Sequence, residues 1–273
     1  VGALDNILVA HIEGGEVSGT VDELIRHAVT KLSHLHFVAN EDARKRLIQM
    51  GELPNSIFVI GSPDVDVMLS NKLPKLSEVK RNYEIGFADY AIFIYHSVTT
   101  ELDLLKHHIE EIVEALQTSR LNFVVIYPNN DAGAEIILEA LTKLHDNERF
   151  RVIPSMRFEY FLTLLKNARA IVGNSSAGIR EAPVYGVPTV NIGTRQMNRF
   201  HYPSILNIPA NKELILDTLS NLPTLVTPSL HFGSGESARL FMVHLCNPKL
   251  WQTSRQKYFQ DLQLSVEMQD VAR

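Results

Sequence analysis

Short apolar runs alternate with longer helical stretches along the chain, and this alternation restricts the fold more than any other feature. The predicted strands are residues 7–11, 36–39, 57–60, 91–95, 123–127, 151–153, 170–172 and 189–191. The predicted helices are residues 21–33, 41–50, 101–118, 133–145, 157–168, 177–185, 212–219, 235–246 and 249–264. Strands that alternate with helices at this spacing form βαβ units, whose parallel strands are covered on both faces. We therefore predict an α/β fold built on parallel sheets.

The segment 64–77, which contains Pro74 and scattered polar residues, is predicted to be a linker. It divides the chain into a partial first domain (1–68), a second domain (69–247) and a final segment (248–273). The first predicted strand begins almost at Val1, whereas a doubly wound sheet has several strands before its ligand-binding crevice. We therefore expect the first domain to lack an amino-terminal part.

Composition argues against several classes of function. The chain has 273 residues and a net charge of −5, which gives no electrostatic basis for binding nucleic acid or an anionic membrane. Cys246 is the single cysteine, so an intrachain disulfide and a cysteine-based zinc site are excluded. No apolar run approaches the ~20 residues of a membrane helix, and we expect no signal peptide. We predict a cytoplasmic protein that uses no catalytic metal and no cofactor.

The most polar motif follows the first predicted strand. Residues 11–27 read His-Ile-Glu-Gly-Gly-Glu-Val-Ser-Gly-Thr-Val-Asp-Glu-Leu-Ile-Arg-His. Carboxylates at the junction of a parallel strand and a helix lie where open α/β sheets bind ligands. Glu13, two residues beyond an apolar strand, needs a partner or a ligand. We therefore take Glu13 and Asp22 as candidate functional residues.

Ordinary structural roles remain open for the rest of this motif. Thr20 and Glu23 are spaced as a capping box for the helix that follows. Asp22 and Arg26 are spaced i, i+4 and could form an exposed ion pair worth about 0.3–0.5 kcal/mol. Glu23 and Arg26 are therefore candidates for function and for local structure alike.

A second motif follows the predicted strand 170–172. Residues 173–181 read Gly-Asn-Ser-Ser-Ala-Gly-Ile-Arg-Glu and lead into a helix. Hydroxyls and free N–H groups at a helix start bind phosphate, so Ser175 and Ser176 are candidate phosphate ligands. Either serine could equally be an ordinary N-cap. Glu181 could accept hydrogen bonds from a ribose, although the motif lacks the lysine of a P-loop.

Three further loops follow predicted strands of the second domain. They begin at His96, Pro128 and Gly193, and they contain Asn129 and Arg195. A single His or Asn at a strand end is usually a turn residue, but several of them at the carboxyl edge of one sheet predict a pocket. The planar guanidinium of Arg195 suits the oxygens of a diphosphate.

Together these motifs resemble the UDP-N-acetylglucosamine 2-epimerase family, most of all its hydrolysing branch, which makes N-acetylmannosamine and UDP for sialic acid synthesis. The matching segments are, in family order, His11-Ile-Glu-Gly-Gly-Glu-Val-Ser-Gly-Thr, Asp22-Glu-x-x-Arg26, His96-x-Val-Thr-Thr, Pro128-Asn-x-Asp-x-Gly133, Gly173-Asn-Ser-Ser-x-Gly-x-Arg-Glu181 and Gly193-Thr-Arg-Gln196. The Glu-Gly-Gly-Glu and Gly-Thr-Arg-Gln forms favour the hydrolysing branch. Two family segments, an amino-terminal Gly-Thr-Arg and a His-Gly-Asp-Arg, have no counterpart here.

The resemblance implies two Rossmann-like domains of the glycosyltransferase B type, with parallel sheets and with the first domain truncated at its amino terminus. The family places its active site in the cleft between the two domains. A last helix, 249–264, would pack back on the first domain through Trp251, Tyr258 and Phe259. The family also implies a homo-oligomer, either a dimer or a tetramer.

The resemblance implies a mechanism as well. UDP is eliminated across C1–C2 of the sugar to give 2-acetamidoglucal, and water then adds with the opposite configuration at C2. Carboxylates of differing pKa suit such proton transfers. The residues expected to be catalytic are Glu13, Asp22, Glu23, Arg26 and His96, with a further family Asp in the absent segment. The residues expected to hold UDP are Asn129 and Met156 near the nucleoside, Ser175, Ser176 and Arg195 at the diphosphate, and Glu181 at the ribose.

Other functions fit parts of the same pattern. A UDP-diacetamido-trideoxyhexose 2-epimerase of the legionaminic acid pathway performs the same chemistry on another sugar, and a non-hydrolysing epimerase keeps its product on UDP. A catalytically inactive fragment would bind UDP without turnover. A sugar-nucleotide glycosyltransferase shares the architecture, but the carboxylate-rich motif suits proton transfer better than donor binding alone.

Overall fold

The computed structural model describes residues 1–2, 4–18, 21–197, 199–224 and 226–262, and these residues form two compact units. Unit 1 contains Val1–Glu16, Val21–Asp66 and the described residues from His231 onward, whereas unit 2 contains Val17 and Ser18 together with the described residues of Val67–Leu230. The chain therefore rejoins unit 1 at His231, earlier than the expected boundary after residue 247.

Each unit is an alternation of strands and helices. The strands are, in chain order, β1 (Ala10–Ile12), β2 (Leu35–Val38), β3 (Ile57–Val59), β4 (Ala91–Ile94), β5 (Phe123–Ile126), β6 (Phe150–Ile153), β7 (Ile171–Gly173), β8 (Thr189–Ile192) and β9 (Ile205–Ile208). The helices are α1 (Val21–Lys31), α2 (Glu41–Gln49), α3 (Pro63–Leu69), α4 (Leu76–Asn82), α5 (Leu102–Thr118), α6 (Ala134–Leu141), α7 (Phe158–Lys166), α8 (Ala177–Arg180), α9 (Ala182–Tyr185), α10 (Lys212–Ser220) and α11 (Ser237–Leu245). Within the described ranges, none of these helices has the length and apolar character that a bilayer span requires.

Unit 1 is a parallel sheet in the order β1-β2-β3 with α11 packed against it. Phe37 of β2 is fully buried, and its ring centroid lies 4.7 Å from that of Phe241 on α11. Leu35, Ile60 and Leu250 complete this apolar cluster. Burying side chains of this size contributes about 1.5–3 kcal/mol each. The packing of α11 on this sheet explains why the chain returns to unit 1 well before residue 248.

The first strand differs from the prediction. The sequence predicts a buried strand at residues 7–11, whereas β1 spans Ala10–Ile12 and forms the edge of the described sheet beside β2. Ile7 and Ile12 are 55% and 45% exposed. An apolar run at the edge of a sheet does not require burial on both faces, which is why the sequence pattern overstates the burial of β1.

A buried charged cluster surrounds Glu52, whose side chain is 2% exposed. Its carboxylate lies 2.8 Å from Lys31 Nζ, 2.6 Å from Lys257 Nζ and 3.0 Å from His36 Nε2. Lys257 Nζ also donates to the carbonyl oxygen of Ser33 at 2.7 Å. A carboxylate can be buried at acceptable cost when partners of this kind replace water. The cluster ties the segment around Lys257 to the end of α1.

The predicted helix 249–264 is not present in its described part. Leu250–Gln252 forms a single 3-10 turn, and residues 253–262 contain no helix. Trp251, Tyr258 and Phe259 are 62%, 74% and 89% exposed, so they do not supply the expected packing face. The segment is held instead by buried Leu250 and by Lys257. Residues 263–264 lie outside the described residues.

Unit 2 is a six-stranded parallel sheet in the order β6-β5-β4-β7-β8-β9. Counted within this unit, the strand order is 3-2-1-4-5-6, which is the order of a Rossmann sheet. The order reverses between β4 and β7. Ligands of open α/β sheets bind outside the carboxyl ends of the strands at such a switch point, so this edge is the expected location of a site.

Both faces of the unit 2 sheet are covered by helices, as the continuous apolar strands predict. Successive residues of β4 point to opposite faces: Ile92 packs in a cluster with α4 and α7, and Phe93 packs in a cluster with α5, α6 and α10. Both side chains are fully buried. The sheet is therefore a rigid base for the loops at its carboxyl edge.

The predicted linker 64–77 contains helical structure. It includes most of α3 and the first residues of α4. Pro63 begins α3, where its missing N–H costs nothing, and Val65 and Met68 are buried. Pro74, the proline of the segment, directly precedes the N-cap residue Lys75 of α4, so it marks the approach to a helix rather than a linker.

One strand of unit 2 is absent from the sequence prediction. β9 spans Ile205–Ile208 and pairs with β8 as the last strand of the sheet. Pro203 and Pro209 flank it, and proline near a strand argues against a central position but not against an edge position. The sheet accommodates this four-residue strand at its edge, between two prolines.

We expect Asp66→Ala to lower the free energy of unfolding by about 1–2 kcal/mol, because Asp66 caps α11. Its two carboxylate oxygens accept from the backbone N–H groups of Ser237 and Ala238, both at 2.9 Å. Urea unfolding followed by circular dichroism measures the change. Asp146→Ala, at an exposed aspartate, is the control and should change stability by no more than about 0.5 kcal/mol. An Asp66→Ala protein as stable as the control would contradict the capping role.

We expect the stability of the protein to fall steeply between pH 4.5 and pH 2 because of Glu52. Burial by itself would raise the pKa of Glu52, but hydrogen bonds from His36, Lys257 and Lys31 outweigh it and lower the pKa from 4.5 to about 2. A carboxyl with a depressed folded-state pKa adds stability above its unfolded pKa and loses it as the pH falls through the folded value.

Thermal unfolding of wild type and Glu52→Gln at several pH values tests this expectation. The midpoint of Glu52→Gln should be lower near neutral pH and should decline less between pH 4.5 and pH 2, since the amide does not titrate. Glu41→Gln, at a side chain that is 64% exposed, should follow wild type. Parallel curves for Glu52→Gln and wild type would rule out this contribution.

Candidate active site

Five of the strands of unit 2 are followed by residues that the sequence selects. The residues at this carboxyl edge are His96 after β4, Asn129 after β5, Met156 after β6, Ser175 and Ser176 after β7, and Arg195 after β8. Because all these strands are parallel, their carboxyl ends meet at one edge of the sheet. The structure thus brings these six residues to the edge that contains the switch point.

Asn174 joins the two strand ends at the switch point. Its side chain is fully buried, accepts from the backbone N–H of His96 at 2.7 Å and donates to the carbonyl of His96 at 2.8 Å. The preceding Gly173 has φ +125°, and a Cβ at this position would lie 1.9 Å from the carbonyl oxygen of Ile94 on β4. Only glycine permits this close approach, which brings Asn174 within reach of His96.

The backbone of Asn174 also orients the loop after β8. Its carbonyl oxygen accepts from Arg195 Nη1 at 3.3 Å and from Gln196 Nε2 at 2.9 Å. Gln196 is buried and accepts from Arg199 at 2.7 Å. Asn174 and Gln196 lie inside motifs that the sequence selects, but they are not among its candidate residues. The signal that could have identified them is a side-chain amide directly beside each predicted ligand.

The imidazole of His96 is held by the loop after β5. The backbone N–H of Asn129 donates to His96 Nδ1 at 3.0 Å, and the side chain of Asn129 donates to Asp131 at 2.6 Å. Burial, together with the positive charge of Arg195, lowers the pKa of His96 from 6.5 to about 4, against the opposing effects of Asp131 and of the hydrogen bond with Asn129. His96 is therefore neutral near pH 7 in this environment.

The serine motif begins a shorter helix than predicted. The sequence predicts one helix at 177–185, whereas α8 and α9 are two four-residue helices that meet at Glu181. Pro183 in the first turn of α9 cannot donate a backbone hydrogen bond, which explains the break. A helix this short carries a small dipole, so phosphate binding here depends on hydroxyls, N–H groups and nearby cations.

The two serines have different surroundings. Ser175 Oγ accepts from the N–H of Ala177 at 3.3 Å, which is the ordinary turn role left open by the sequence. Ser176 occupies the N-cap position of α8 and makes no side-chain capping bond. Glu181 is buried between α8 and α9. Met156 packs in part against the core cluster beneath the sheet, and its predicted backbone contact with a nucleoside remains a prediction.

In unit 1, Glu13 directly follows β1 in an unusual backbone conformation. Its φ is +62°, in the left-handed region that residues with a side chain rarely adopt. Its N–H donates to the carbonyl of Phe37 at 2.8 Å, which continues the pairing of β1 with β2. Such strain costs on the order of 1–3 kcal/mol and concentrates at functional sites. This strain supports the selection of Glu13 from the sequence.

Glu16 is the most buried carboxylate of the motif, with 6% of its surface exposed. The side chain of Asn40 donates to Glu16 Oε1 at 3.3 Å. Gly15 precedes it with φ +78°, and a Cβ there would lie 2.4 Å from the carbonyl oxygen of Ala43 in α2. Glu16 is not among the candidate residues selected from the sequence. Its place as the second Glu of Glu-Gly-Gly-Glu was the available signal.

The remaining candidates lie on the first turns of α1. Asp22 is exposed, and Glu23 lies 3.5 Å from His27 in an i, i+4 pair. Arg26 Nη1 donates to the carbonyl of Glu16 at 3.1 Å, so it anchors the loop between β1 and α1. The predicted capping partner Thr20 lies outside the described residues. The structure therefore places Glu13, Glu16 and Arg26 along one connected loop and helix start.

A sequence profile of the UDP-N-acetylglucosamine 2-epimerase family matches residues 1–245. The chain belongs to this family. It is 49% identical over 269 residues to a UDP-N-acetylglucosamine 2-epimerase of Neisseria meningitidis, and the alignment covers 97% of this chain and 71% of that relative. It is 36% identical over 217 residues to a hydrolysing UDP-N,N'-diacetylbacillosamine 2-epimerase of Legionella pneumophila, with coverages of 78% and 57%.

The fold of this family member also matches solved structures. The UDP-GlcNAc 2-epimerase of Methanocaldococcus jannaschii, solved in complex with UDP-GlcNAc and UDP, superposes with a TM-score of 0.73 at 22% identity. The superposition covers 90% of this chain and 70% of that chain. The predicted α/β class, with parallel sheets in two Rossmann-like domains of the glycosyltransferase B type, is confirmed.

We expect Glu13→Gly to be more stable than Glu13→Ala by about 1 kcal/mol, because glycine adopts positive φ without strain. Both substitutions remove the same carboxylate, so the comparison isolates the backbone conformation. The matched pair Glu16→Gly and Glu16→Ala should give the opposite order, since the positive φ values of the described chain do not include Glu16. Urea unfolding of the four variants measures both differences. The same order at both positions would refute strain at Glu13.

Proposed function

We propose that this family member is a hydrolysing UDP-N-acetylglucosamine 2-epimerase, which converts UDP-N-acetylglucosamine and water to N-acetylmannosamine and UDP, the first step of sialic acid biosynthesis. The observation that supports this most is the set of groups suited to a diphosphate at the switch point of unit 2. The similarity to the Neisseria enzyme supports the substrate. The Legionella relative is named as hydrolysing, which supports release of a free sugar.

In this proposal, unit 2 binds UDP. The diphosphate leaves C1 of the sugar as an anion, so it needs cationic and N–H donors that are already oriented. Arg195 supplies the charge, while His96 and the hydroxyls of Ser175 and Ser176 supply neutral donors. We assign Glu181 to the ribose hydroxyls, by analogy with acidic residues of other Rossmann sites.

The loops after β5 and β6 are assigned to the nucleoside. Asn129 and Met156 follow these strands at the same edge of the sheet as the diphosphate groups. The side-chain amide of Asn129 is engaged by Asp131 and its backbone N–H by His96. Asn129 would therefore contribute to nucleoside binding by shaping the pocket, because its backbone N–H is used to hold the imidazole of His96.

Unit 1 supplies the proton transfers in this proposal. The proton at C2 of the sugar is weakly acidic, so a positioned carboxylate must remove it as UDP departs. Hydration of 2-acetamidoglucal then needs an acid at C2 and a base that activates water for attack at C1. We assign these roles to Glu13 and Asp22. Glu23 and Arg26, which lie on α1 with Asp22, support these two residues.

We also propose the partners, the assembly and the location of the enzyme. Its partners are the UDP-sugar substrate and the UDP product, and we propose that it works as a homo-oligomer, a dimer or a tetramer, in the cytoplasm without a metal or other cofactor. Within the described residues, no group of three or more His, Cys, Asp and Glu side chains is arranged to hold a metal.

A second substrate is favoured by the Legionella relative, which is named for UDP-N,N'-diacetylbacillosamine. The chemistry at C1 and C2 would be the same, because the sugars differ at other carbons. Unit 2 holds the UDP part that both substrates share. Discrimination between the sugars therefore falls to residues that contact the hexose.

Product analysis with both UDP-sugars tests the proposal. Incubation of the protein with UDP-N-acetylglucosamine in D₂O is expected to release UDP and free N-acetylmannosamine with deuterium at C2. In H₂¹⁸O the UDP should carry no ¹⁸O, because the C1–O bond breaks rather than the P–O bond. UDP-N-acetylmannosamine as the product would indicate a non-hydrolysing epimerase. UDP binding by calorimetry without any turnover would indicate a binding fragment.

We expect Glu13→Gln to reduce turnover by at least about 100-fold while it leaves the affinity for UDP unchanged, because general-base catalysis contributes roughly 10²–10⁴-fold. Steady-state kinetics and UDP calorimetry measure the two effects. Glu41→Gln, an exposed position in the same unit, is the matched control and should behave as wild type. Unchanged turnover in Glu13→Gln would refute its assignment.

A further inference from the structure

The hydrogen bond at His96 Nδ1 determines which nitrogen of the ring carries the proton. The partner is the backbone N–H of Asn129, at 3.0 Å. A backbone N–H can donate but cannot accept, so Nδ1 must be the acceptor and has no proton of its own. A neutral imidazole has one proton, which is therefore on Nε2.

We propose that His96 serves the reaction as a neutral hydrogen-bond donor, through Nε2–H to a diphosphate oxygen of the UDP-sugar, and that it neither gives nor takes a proton. The tautomer rests on the hydrogen bond itself. The identity of the acceptor, a diphosphate oxygen, rests on the function proposed above.

Neither direction of proton transfer is open to this ring. As a base, His96 would have to accept a proton on Nδ1, the one nitrogen with a lone pair. That lone pair is occupied by the N–H of Asn129, and a protonated Nδ1 would place two donors against each other. As an acid, it would have to release the Nε2 proton and become an imidazolate anion, which is out of reach near neutral pH.

The surroundings of the ring hold it in this state. The charged groups that act on it are Arg195, which lies after β8 and disfavours a second positive charge, and Asp131, which lies after β5 and opposes that effect. Burial has the largest effect and, with Arg195, keeps the pKa of His96 near 4 against the opposing effects of Asp131 and of the hydrogen bond with Asn129. The side chain of Asn174 hydrogen-bonds to both the backbone N–H and the backbone carbonyl of His96, which fixes the backbone that carries the ring.

A fixed neutral donor has a consequence for the reaction. The proton transfers at C1 and C2 then fall entirely to other groups, which are the carboxylates of unit 1 in the proposed mechanism. The pH dependence of turnover between pH 5 and pH 9 should therefore contain no ionisation that belongs to His96.

Nuclear magnetic resonance of the ring nitrogens tests the tautomer directly. With ¹⁵N-histidine in the full chain, long-range ¹H–¹⁵N spectra distinguish a protonated from an unprotonated imidazole nitrogen. The signals of His96 are those missing from the spectrum of His96→Gln. We expect unprotonated Nδ1 and protonated Nε2 from pH 5.5 to pH 8.5, in the free protein and with saturating UDP. Protonation of both nitrogens in either state would overturn the proposal.

Two substitutions test the donor role. Gln carries an amide N–H near the position of Nε2, so His96→Gln should bind UDP within about threefold of wild type and keep the shape of its pH profile. His96→Leu removes the donor and should weaken UDP binding by about 10–100-fold, the effect of one hydrogen bond to a charged group. Circular dichroism checks that both variants fold.

The outcomes distinguish a failure of the inferred role of His96 from a failure of its proposed contact with the diphosphate. An ionisation near neutral pH that is present in wild type and lost in His96→Gln would show that His96 transfers a proton, and would overturn the inference. UDP binding by His96→Leu equal to wild type would show that Nε2–H does not contact the nucleotide. Failure of wild type to bind UDP would refute the proposed function together with the diphosphate as acceptor, while the tautomer would still be decided in the free protein.

Discussion

The site of unit 2 depends on one close approach between two strands. Because Gly173 has no side chain, β7 can approach β4 so closely that a Cβ would touch the carbonyl oxygen of Ile94. This places Asn174 where its side-chain amide bonds both the backbone N–H and the backbone carbonyl of His96. The backbone carbonyl of Asn174 accepts a hydrogen bond from Arg195. A buried amide whose polar groups are hydrogen-bonded is rigid. Asn174 therefore fixes the His96 ring and the Arg195 guanidinium in position relative to the sheet.

The two units position their chemical groups by different means. Unit 2 uses hydrogen bonds from a fully buried amide at the carboxyl edge of a sheet that is covered on both faces. Unit 1 holds Glu13 in a strained conformation after an edge strand, and it secures the following loop through Arg26 and through Asn40 at Glu16. Groups that bind an anion benefit from a fixed place.

The periodicity of the sequence is sufficient to predict the fold class but not every helix and strand. Alternation of strands and helices predicted the parallel sheets, and strand ends such as His96 and Arg195 were correctly placed at one edge. Three elements differ from the prediction because local cues are ambiguous: Pro74 directly precedes the N-cap of a helix, Pro203 and Pro209 flank an edge strand, and Trp251 lies on an exposed turn. Asn174 and Glu16 were not selected, since their roles come from contacts that a linear motif does not display.

The arrangement of charge at the carboxyl edge of unit 2 favours a division of labour. A leaving diphosphate is stabilised best by donors whose charge does not change as the bond breaks. In the proposed mechanism Arg195 is always protonated, and burial beside Arg195 lowers the pKa of His96 while the N–H of Asn129 occupies its Nδ1, so neither group would compete for the proton removed from the sugar. Proton transfer requires the opposite property, a group whose two ionisation states are both accessible. In the proposed mechanism this property belongs to the carboxylates after β1, so the groups assigned to proton transfer and the groups assigned to the diphosphate lie on different loops of the chain.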